Sequence, residues 1–123
     1  MPKGKLEHVN ITVTDPHRSA QLFQDLCGWK IRWEGPSMRE GHTVHVGDDD
    51  AYLALYTNPA ARADYPKGEP FNHVGLLVQN LDDAERIITE AGLKSWGHDD
   101  YEPGQRFYFL DWDGIEFEVV SYE

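Results

Sequence analysis

An internal repeat is the feature of this sequence that most constrains its fold. The segment LEHVNITVTDPHRSAQLFQDLCGWK (6–30) resembles the segment FNHVGLLVQNLDDAERIITEAGLK (71–94), and His8 falls on His73. After a one-residue slip within the predicted helix the alignment continues, and it puts YLALYT (52–57) on EFEVVS (116–121), where Ala54 becomes the partner of Glu118. Self-similarity at a fixed spacing is typical of a duplicated structural unit, so we expect two half-chains of about 60 residues with one shared pattern.

Each half begins with a pattern that predicts a β-strand followed by an α-helix. Apolar and polar residues alternate over 8–13, which is the period of a half-buried strand. Asp15 and Pro16 then supply a helix N-cap and a first helical residue, and Gly28 supplies the stop. The second half repeats this arrangement, with a helix start near Asn80 and the repeated glycine as its stop.

Three further strands follow the helix in each half. In the first half they are WKIRWE, HTVHVG and YLALYT, and in the second half they are KSWGH, RFYFLDW and IEFEVVSY. The stretch between the halves is rich in Pro, Ala and charge, which is typical of a linker. We therefore predict an α+β fold of two tandem β-α-β-β-β modules, with module one over 5–57, a linker over 58–70 and module two over 71–122.

The composition disfavours several classes of partner. The 123 residues carry a net charge of −11, whereas a nucleic-acid binder needs clustered Lys and Arg to neutralise phosphates. No apolar run approaches the roughly 20 residues that span a bilayer, and MPKGKLEH lacks the apolar core of a secretory signal. We therefore expect no nucleic-acid and no membrane partner. Cys27 is the one cysteine, so no internal disulfide can form and a reducing, cytoplasmic location is expected.

Strand alternation brings three candidate metal ligands to one side of the predicted sheet. The apolar residues of the first strand in each half face the helix, so His8 and His73 face the opposite, concave side. Glu118 alternates with apolar residues in the last strand and faces that side too. Two imidazoles and one carboxylate suit divalent Fe, Mn, Zn, Ni or Co, and three ligands leave positions open for water or substrate. We therefore predict a divalent metal ion in a groove of a curved mixed sheet.

The sequence resembles the vicinal oxygen chelate superfamily, which includes glyoxalase I, extradiol dioxygenases, and fosfomycin- and bleomycin-resistance proteins. The resemblance rests on HVNITV with DPHRSAQLFQDLCGWK, on NHVGLLV, and on FYFLDWDGIEFEVV. It implies paired β-α-β-β-β modules around a U-shaped groove, with metal positions at His8, Ala54, His73 and Glu118. It also implies a homodimer, in which the groove often takes His8 from one chain and the other two ligands from its partner.

The positions at which this chain differs from members of the family narrow the range of activities that we expect. Members that act as glyoxalase I carry a fourth metal ligand, acidic or His, where this chain has Ala54, so that activity is disfavoured. Fosfomycin transferases are similar around Tyr108 but need positive charge for a phosphonate, and GHDDYEPGQ (97–105) is acidic. Bleomycin-resistance proteins bind a cationic drug without these metal ligands. The acidic charge of this chain therefore fits them, whereas the set of His8, His73 and Glu118, which we call the triad, does not.

Further residues on the groove side are secondary candidates. On the strand RFYFLDW, Phe107 and Phe109 are expected to face the helix and Tyr108 the groove. Tyr108 is the candidate proton donor, with a groove-lining aromatic residue as the alternative. Asn10 lies beside His8 on the same face and is a candidate substrate contact. Glu116 shares the face of Glu118, as a substrate contact or as a solvated carboxylate. The sequence assigns no role to two other histidines, His17 and His42, and Cys27 is expected to be a core residue rather than a nucleophile.

The sequence therefore predicts a metal-dependent enzyme that acts on a small molecule chelated through vicinal oxygens. Ring-opening dioxygenase-like chemistry and a lyase or isomerase reaction both remain open. The metal would act as a Lewis acid. If the metal is Fe(II), it would bind both the substrate and dioxygen. The alternative is a non-catalytic, bleomycin-resistance-like protein that binds a cationic or aromatic ligand. A metal with only a structural role is a third possibility.

Overall fold

The computed structural model describes residues 2–64, 66, 68, 70–101 and 104–123. The chain forms two compact units, Met1–Ala61 and Arg62–Glu123. The first unit contains β1 (His8–Thr12), α1 (Pro16–Cys27), β2 (Lys30–Ser37), β3 (Gly41–Gly47) and β4 (Tyr52–Thr57). The second unit contains β5 (Val74–Leu77), α2 (Leu81–Glu90), β6 (Ser95–Tyr101), β7 (Gly104–Leu110) and β8 (Glu116–Ser121).

Each unit builds its own four-stranded mixed sheet. The strand order is β1-β4-β3-β2 in the first unit and β5-β8-β7-β6 in the second. The first strand of each unit pairs in parallel with the last, and the other pairs are antiparallel. The predicted α+β fold of two tandem β-α-β-β-β modules is therefore confirmed. The boundary between the units falls within the predicted linker over 58–70, whose residues 65, 67 and 69 lie outside the described residues.

The predicted helix starts and stops follow from local capping chemistry. The Asp15 side chain accepts a hydrogen bond from the backbone N–H of Arg18 at 3.1 Å, and Pro16 opens α1. Gly28 ends this helix with a left-handed backbone at φ 66°, where an L side chain would be strained. Asn80 caps α2 in the same way, through a 3.0 Å hydrogen bond from the N–H of Asp83.

The apolar core of each unit lies between its helix and one face of its sheet. In the first unit, α1 packs against β3 and β4, and in the second unit α2 packs against β6, β7 and β8. The core includes the fully buried residues Phe23, Val44, Val46, Leu55, Ile88, Phe107, Phe109 and Phe117. Each such side chain contributes about 1.5–3 kcal/mol by leaving water. Because the helix covers one face, the alternating polar residues of the same strands are directed to the other face.

The acidic β6–β7 hairpin extends further than the sequence pattern predicted. β6 continues to Tyr101 instead of ending near His98, because the backbone of residues 99 and 100 is in register with Arg106 and Gln105 of β7. Residues 102 and 103 of the predicted acidic segment lie outside the described residues. The backbone pairing thus turns much of a predicted loop into strand.

Candidate functional site

The strand registers establish which positions of the two units are equivalent. In the first unit Asn10 of β1 lies opposite Ala54 of β4, and in the second unit Gly75 of β5 lies opposite Glu118 of β8. Ala54 and Glu118 therefore occupy the same place in the repeated module. This agrees with the sequence alignment of the two halves, in which alanine replaces the carboxylate in the first.

The second unit brings His73 and Glu118 into direct contact. His73 immediately precedes β5, and its Nε2 lies 3.1 Å from Oε1 of Glu118. The side chain of His73 is 32% exposed and that of Glu118 is 14% exposed. Nδ1 of His73 lies 2.8 Å from Oδ1 of Asn72, which orients the ring. Two donor atoms this close can bind one ion, since ligands about 2.1 Å from a metal are roughly 3 Å apart.

Arg106 holds the second oxygen of the same carboxylate. Its Nη1 donates a 2.8 Å hydrogen bond to Oε2 of Glu118, and the Arg106 side chain is only 11% exposed. A buried guanidinium compensates the charge of a buried carboxylate and fixes its orientation. Glu118 therefore presents Oε1 towards His73 while Oε2 is engaged. Sequence reasoning missed Arg106, although it stands two residues before Tyr108 in a strand of period two and so shares its face.

Glu116 lies on the same face but is not solvated. The residue is 5% exposed, and its Oε2 lies 3.5 Å from Nδ1 of His73. The alternative of a solvated carboxylate is wrong, because Glu116 is buried at the start of β8 and its side chain contacts His73. The structure thus brings Glu116, His73 and Glu118 together.

Tyr108 lies beside the imidazole of His73. The two rings meet edge to face, with centroids 5.9 Å apart at 87°, and Tyr108 also stacks on Trp96 at 5.1 Å and 22°. Phe107 and Phe109, its neighbours on β7, are buried on the helix side, as predicted. Stacking and edge contacts of this kind restrain an aromatic ring. The phenol is thus held near a candidate ligand.

The equivalent face of the first unit carries an aromatic stack. His8 stacks on Tyr52 with centroids 5.1 Å apart, Tyr52 stacks on His45 at 4.4 Å, and His45 meets Trp33 at 5.0 Å. The guanidinium of Arg32 lies 4.6 Å from the centre of the Tyr52 ring. We call His8, Trp33, His45 and Tyr52 the aromatic stack.

The electrostatics of the stack differ from those of the second unit. Nδ1 of His8 lies 2.5 Å from Oε1 of Glu7, and the His8 side chain is 44% exposed. Burial first, and then the positive charges of His8 and Arg32, lower the pKa of His45, whereas Glu7 acts in the opposite direction. His45 is therefore biased towards its neutral form.

Asn10 lies on the same face of the first sheet as the aromatic stack, and it lines a cavity. The cavity has a volume of about 390 Å³ and is lined by Asn10, Thr12, Ser37, Met38, Arg39, Tyr56 and Asn58. Amide, hydroxyl and guanidinium groups make this lining suitable for a small polar molecule.

Cys27 and His98 are outside the predicted metal site. Burial raises the pKa of the Cys27 thiol to about 12, so the nucleophilic thiolate is scarce at neutral pH. Cys27 is only partly buried, at the C-terminal end of α1, and, contrary to the prediction, is not one of the buried core residues. His98 is exposed and its Nε2 lies 2.6 Å from Oε2 of Glu85. Within the part of the chain that the structure describes, no helix has both the length and the apolarity to cross a membrane.

The chain matches a known family over nearly its whole length. The model of the Glyoxalase/Bleomycin resistance protein/Dioxygenase superfamily matches residues 5–119. No curated protein shows significant sequence similarity to the chain.

Solved structures share the fold at low sequence identity. A glyoxylase/bleomycin resistance protein/dioxygenase domain from Frankia sp. EAN1pec is 20% identical, with a TM-score of 0.80 over 98% of both chains. The fosfomycin resistance protein FosX from Listeria monocytogenes, complexed with Mn(II) and sulfate ion, is 16% identical, with a TM-score of 0.74 over 98% of this chain and 93% of that one. A glyoxalase I mutant from Zea mays is 20% identical, with a TM-score of 0.76 over 94% of this chain and 45% of that one.

Proposed function

The chain belongs to the glyoxalase/bleomycin resistance protein/dioxygenase superfamily, and on that premise we propose that it is a metal-dependent enzyme. Its substrate would be a small molecule that chelates the metal through vicinal oxygens. The observation that carries the proposal is the contact between His73 and Glu118, with Nε2 and Oε1 only 3.1 Å apart on the side of the sheet away from the helix. FosX supports it as a fold relative whose complex contains Mn(II).

The proposed ligands are His8, His73 and Glu118. Their donor set of two imidazoles and one carboxylate fits divalent Fe, Mn, Zn, Ni or Co. When bound, such an ion supplies Lewis acidity at substrate oxygens. The proposal holds whether His8 comes from the same chain or from the partner chain of a homodimer. We also propose that the protein is a homodimer and that it is cytoplasmic. A single cysteine, Cys27, is compatible with the reducing conditions of the cytoplasm.

The surrounding residues of the second unit prepare the carboxylate and the proton donor. Arg106 fixes one oxygen of Glu118 and leaves the other directed at His73. Trp96 and His73 restrain Tyr108, whose hydroxyl is the proposed proton donor to a substrate oxygen. Such positioned acids contribute about 10²–10⁴-fold to a rate.

Substrate orientation is the proposed task of two further residues. Asn10 offers an amide donor and acceptor at the 390 Å³ cavity of the first unit. Glu116, buried beside His73, offers a carboxylate to a substrate hydroxyl. With Ala54 in place of a fourth ligand, the proposal favours dioxygenase-like or lyase chemistry over glyoxalase I activity.

The aromatic stack favours a second candidate function, a non-catalytic protein that binds a cationic or aromatic ligand. Trp33 is 50% exposed at one end of the stack and His8 forms its other end. Exposed aromatic faces bind planar or cationic molecules, and the net charge of −11 adds a favourable potential. This candidate predicts ligand binding that survives His8→Ala and does not depend on metal.

Metal content separates the two candidates. Protein purified without chelator or affinity metal should contain close to one divalent ion at the triad, and His8→Ala and Glu118→Ala should both lose it. Iron in that position would favour dioxygenase chemistry. A parent protein that neither contains nor takes up Fe, Mn, Zn, Co or Ni through these residues would exclude the enzyme and leave the binding protein. His98→Ala, which removes an exposed histidine in the second unit, is the matched control.

A further inference from the structure

Two histidines without a role in the proposed triad converge on one carboxylate in the first unit. His17 lies in the first turn of α1, Glu34 lies on β2 and His42 lies on β3. Helix docking and strand pairing bring together three residues that are up to 25 positions apart. We call these three residues the edge cluster.

The donor atoms of the edge cluster are close enough to share an ion. Nε2 of His17 lies 2.8 Å from Oε1 of Glu34, and Nε2 of His42 lies 2.9 Å from the same oxygen. The three ligand atoms all lie within 4.8 Å of one another. Ligands at 2.0–2.1 Å from a tetrahedral ion are about 3.3 Å apart. Small side-chain rotations, which exposed residues make freely, would therefore bring the three atoms around one ion.

The edge cluster is on the opposite face of the first sheet from the aromatic stack. Glu34 pairs with Val44, which is buried on the helix side, and His42 stands two residues before Val44 on the same strand. Period two therefore places Glu34 and His42 on the helix side. His45, one residue after Val44, belongs to the other face and stacks on Tyr52. An ion at the edge cluster would thus be distinct from one held by His8.

We propose that the edge cluster is a second metal site, which binds one divalent transition-metal ion such as Zn(II). Two imidazole nitrogens and one carboxylate oxygen are ligands that Zn(II) prefers. The side chains are 58%, 39% and 36% exposed for His17, Glu34 and His42. This exposure gives solvent access, so water completes the coordination.

The site would act as a clip between a helix and a hairpin. His17 is fixed to the start of α1, and Glu34 and His42 are fixed to the β2–β3 hairpin. An ion that needs all three is bound by the folded chain and hardly by the unfolded one. Binding to the folded state raises the free energy of unfolding with the logarithm of the free ion concentration once that concentration exceeds the Kd, so the midpoint temperature of unfolding should rise as ion is added.

The second unit provides a matched control. His98 of β6 and Glu85 of α2 also join a strand to a helix, with Nε2 and Oε2 2.6 Å apart. This pair offers one imidazole and one carboxylate, whereas the edge cluster offers a further imidazole. Removing His98 should therefore leave Zn(II) binding unchanged, although it breaks a similar surface ion pair.

Isothermal titration of the chelator-treated full chain with Zn(II) alone tests the proposal. The background variant carries His8→Ala and Glu118→Gln, so that the proposed triad does not contribute. It should bind one Zn(II), and His42→Ala or Glu34→Gln in that background should weaken binding at least about tenfold, because loss of even an outer-shell partner of a ligand typically costs about 10–100-fold. His98→Ala should not. Circular dichroism verifies folding, and Glu34→Gln keeps the shape of the side chain.

The outcomes also separate this site from the proposed enzyme. If the background variant binds no Zn(II), or if His42→Ala and Glu34→Gln leave the affinity unchanged, the edge cluster is an ion-pair network and the proposal is wrong. If the parent binds one ion that is lost with His42→Ala but kept with His8→Ala, the edge cluster stands and the triad fails. Two ions in the parent, each lost with its own variants, would support both sites.

Discussion

The two modules of this protein share a backbone plan but differ in the chemistry of one face. In each unit the last strand is central and pairs with the first strand in the same register. At equivalent positions the first unit has Tyr52 and Ala54, and the second has Glu116 and Glu118. The first unit thus presents an aromatic stack where the second presents carboxylates.

This difference shows which part of a duplicated module is free to diverge. The helix-facing residues must fill a close-packed core, and each buried apolar side chain contributes about 1.5–3 kcal/mol. The opposite face has no such requirement, so polar residues there can change provided that buried charges are paired. The second unit meets that condition by placing Arg106 against Glu118. The first unit has no carboxylate to pair at this position, because it has Ala54, which is 2% exposed.

Removing the carboxylate of the second unit should give the largest effect on stability. Glu118→Ala leaves the guanidinium of Arg106, 11% exposed, without this carboxylate. Breaking one partner of a buried ion pair costs about 3–5 kcal/mol, so the free energy of unfolding should fall by roughly that amount in urea titrations of the metal-free protein. Glu118→Ala combined with Arg106→Met should recover much of the loss, because neither charge then remains. An equal or greater loss in the double variant would show that Arg106 is needed for another reason.

Introducing a carboxylate into the first unit should give the next largest effect. Ala54→Glu inserts a charge at a 2% exposed position on a central strand. The register places no Arg106 equivalent beside it, since Thr43 occupies that position opposite Tyr56. We expect a loss of about 2–4 kcal/mol relative to the parent at neutral pH. Ala54→Gln, of similar size without charge, is the control. If both variants lose the same free energy, crowding rather than charge explains why the first unit has alanine.

Two equivalent tryptophans allow a smaller test of the comparison. Trp33 lies opposite His45 and Trp96 lies opposite Tyr108, and both are about half exposed, at 50% and 44%. An aromatic pair is worth about 0.5–1.5 kcal/mol beyond its buried area. Each Trp→Ala variant should therefore lose about 1 kcal/mol in urea titrations. A loss in only one of them would mean that the stacking on the two faces is not equivalent.

Much of the fold was predictable because its signals are local. Asp15 and Asn80 begin helices by capping backbone N–H groups, and Gly28 ends one by adopting a left-handed conformation, so each acts within a few residues of itself. The period-two alternation of Phe107, Tyr108 and Phe109 likewise predicted that the two phenylalanine rings would be buried against the helix. The repeat alignment also predicted that Ala54 takes the place of Glu118, because both modules keep one strand register.

The contacts that were missed depend on register and docking. Arg106 of β7 contacts Glu118 of the neighbouring strand β8. A cationic side chain on a strand is ordinarily expected at the surface. His17 and His42 meet at Glu34 only after α1 docks on the sheet and the β2–β3 hairpin fixes its register. No spacing along the chain indicates either contact, because the partners are 12, 17 and 8 residues apart in different elements.

The smallest predicted effect is a pH dependence that belongs to the aromatic stack alone. Burial and the positive charges of His8 and Arg32 lower the pKa of His45, against the opposing effect of Glu7. A histidine whose pKa is lower in the folded than in the unfolded chain favours folding when it is neutral. This contribution is complete above the unfolded pKa of about 6.5 and is lost as the pH falls through the lower folded pKa.

The urea midpoint of the metal-free protein should therefore fall from pH 7.5 to pH 5, and His45→Gln should reduce that fall. Tyr108→Phe, at the equivalent position of the second unit, replaces a phenol, a group whose ordinary pKa is about 10, and should leave the pH dependence unchanged. A fall of the same size in His45→Gln and in the parent would mean that other groups carry it. The stack would then contribute geometry but no pH dependence, and the two modules would differ in ligand chemistry alone.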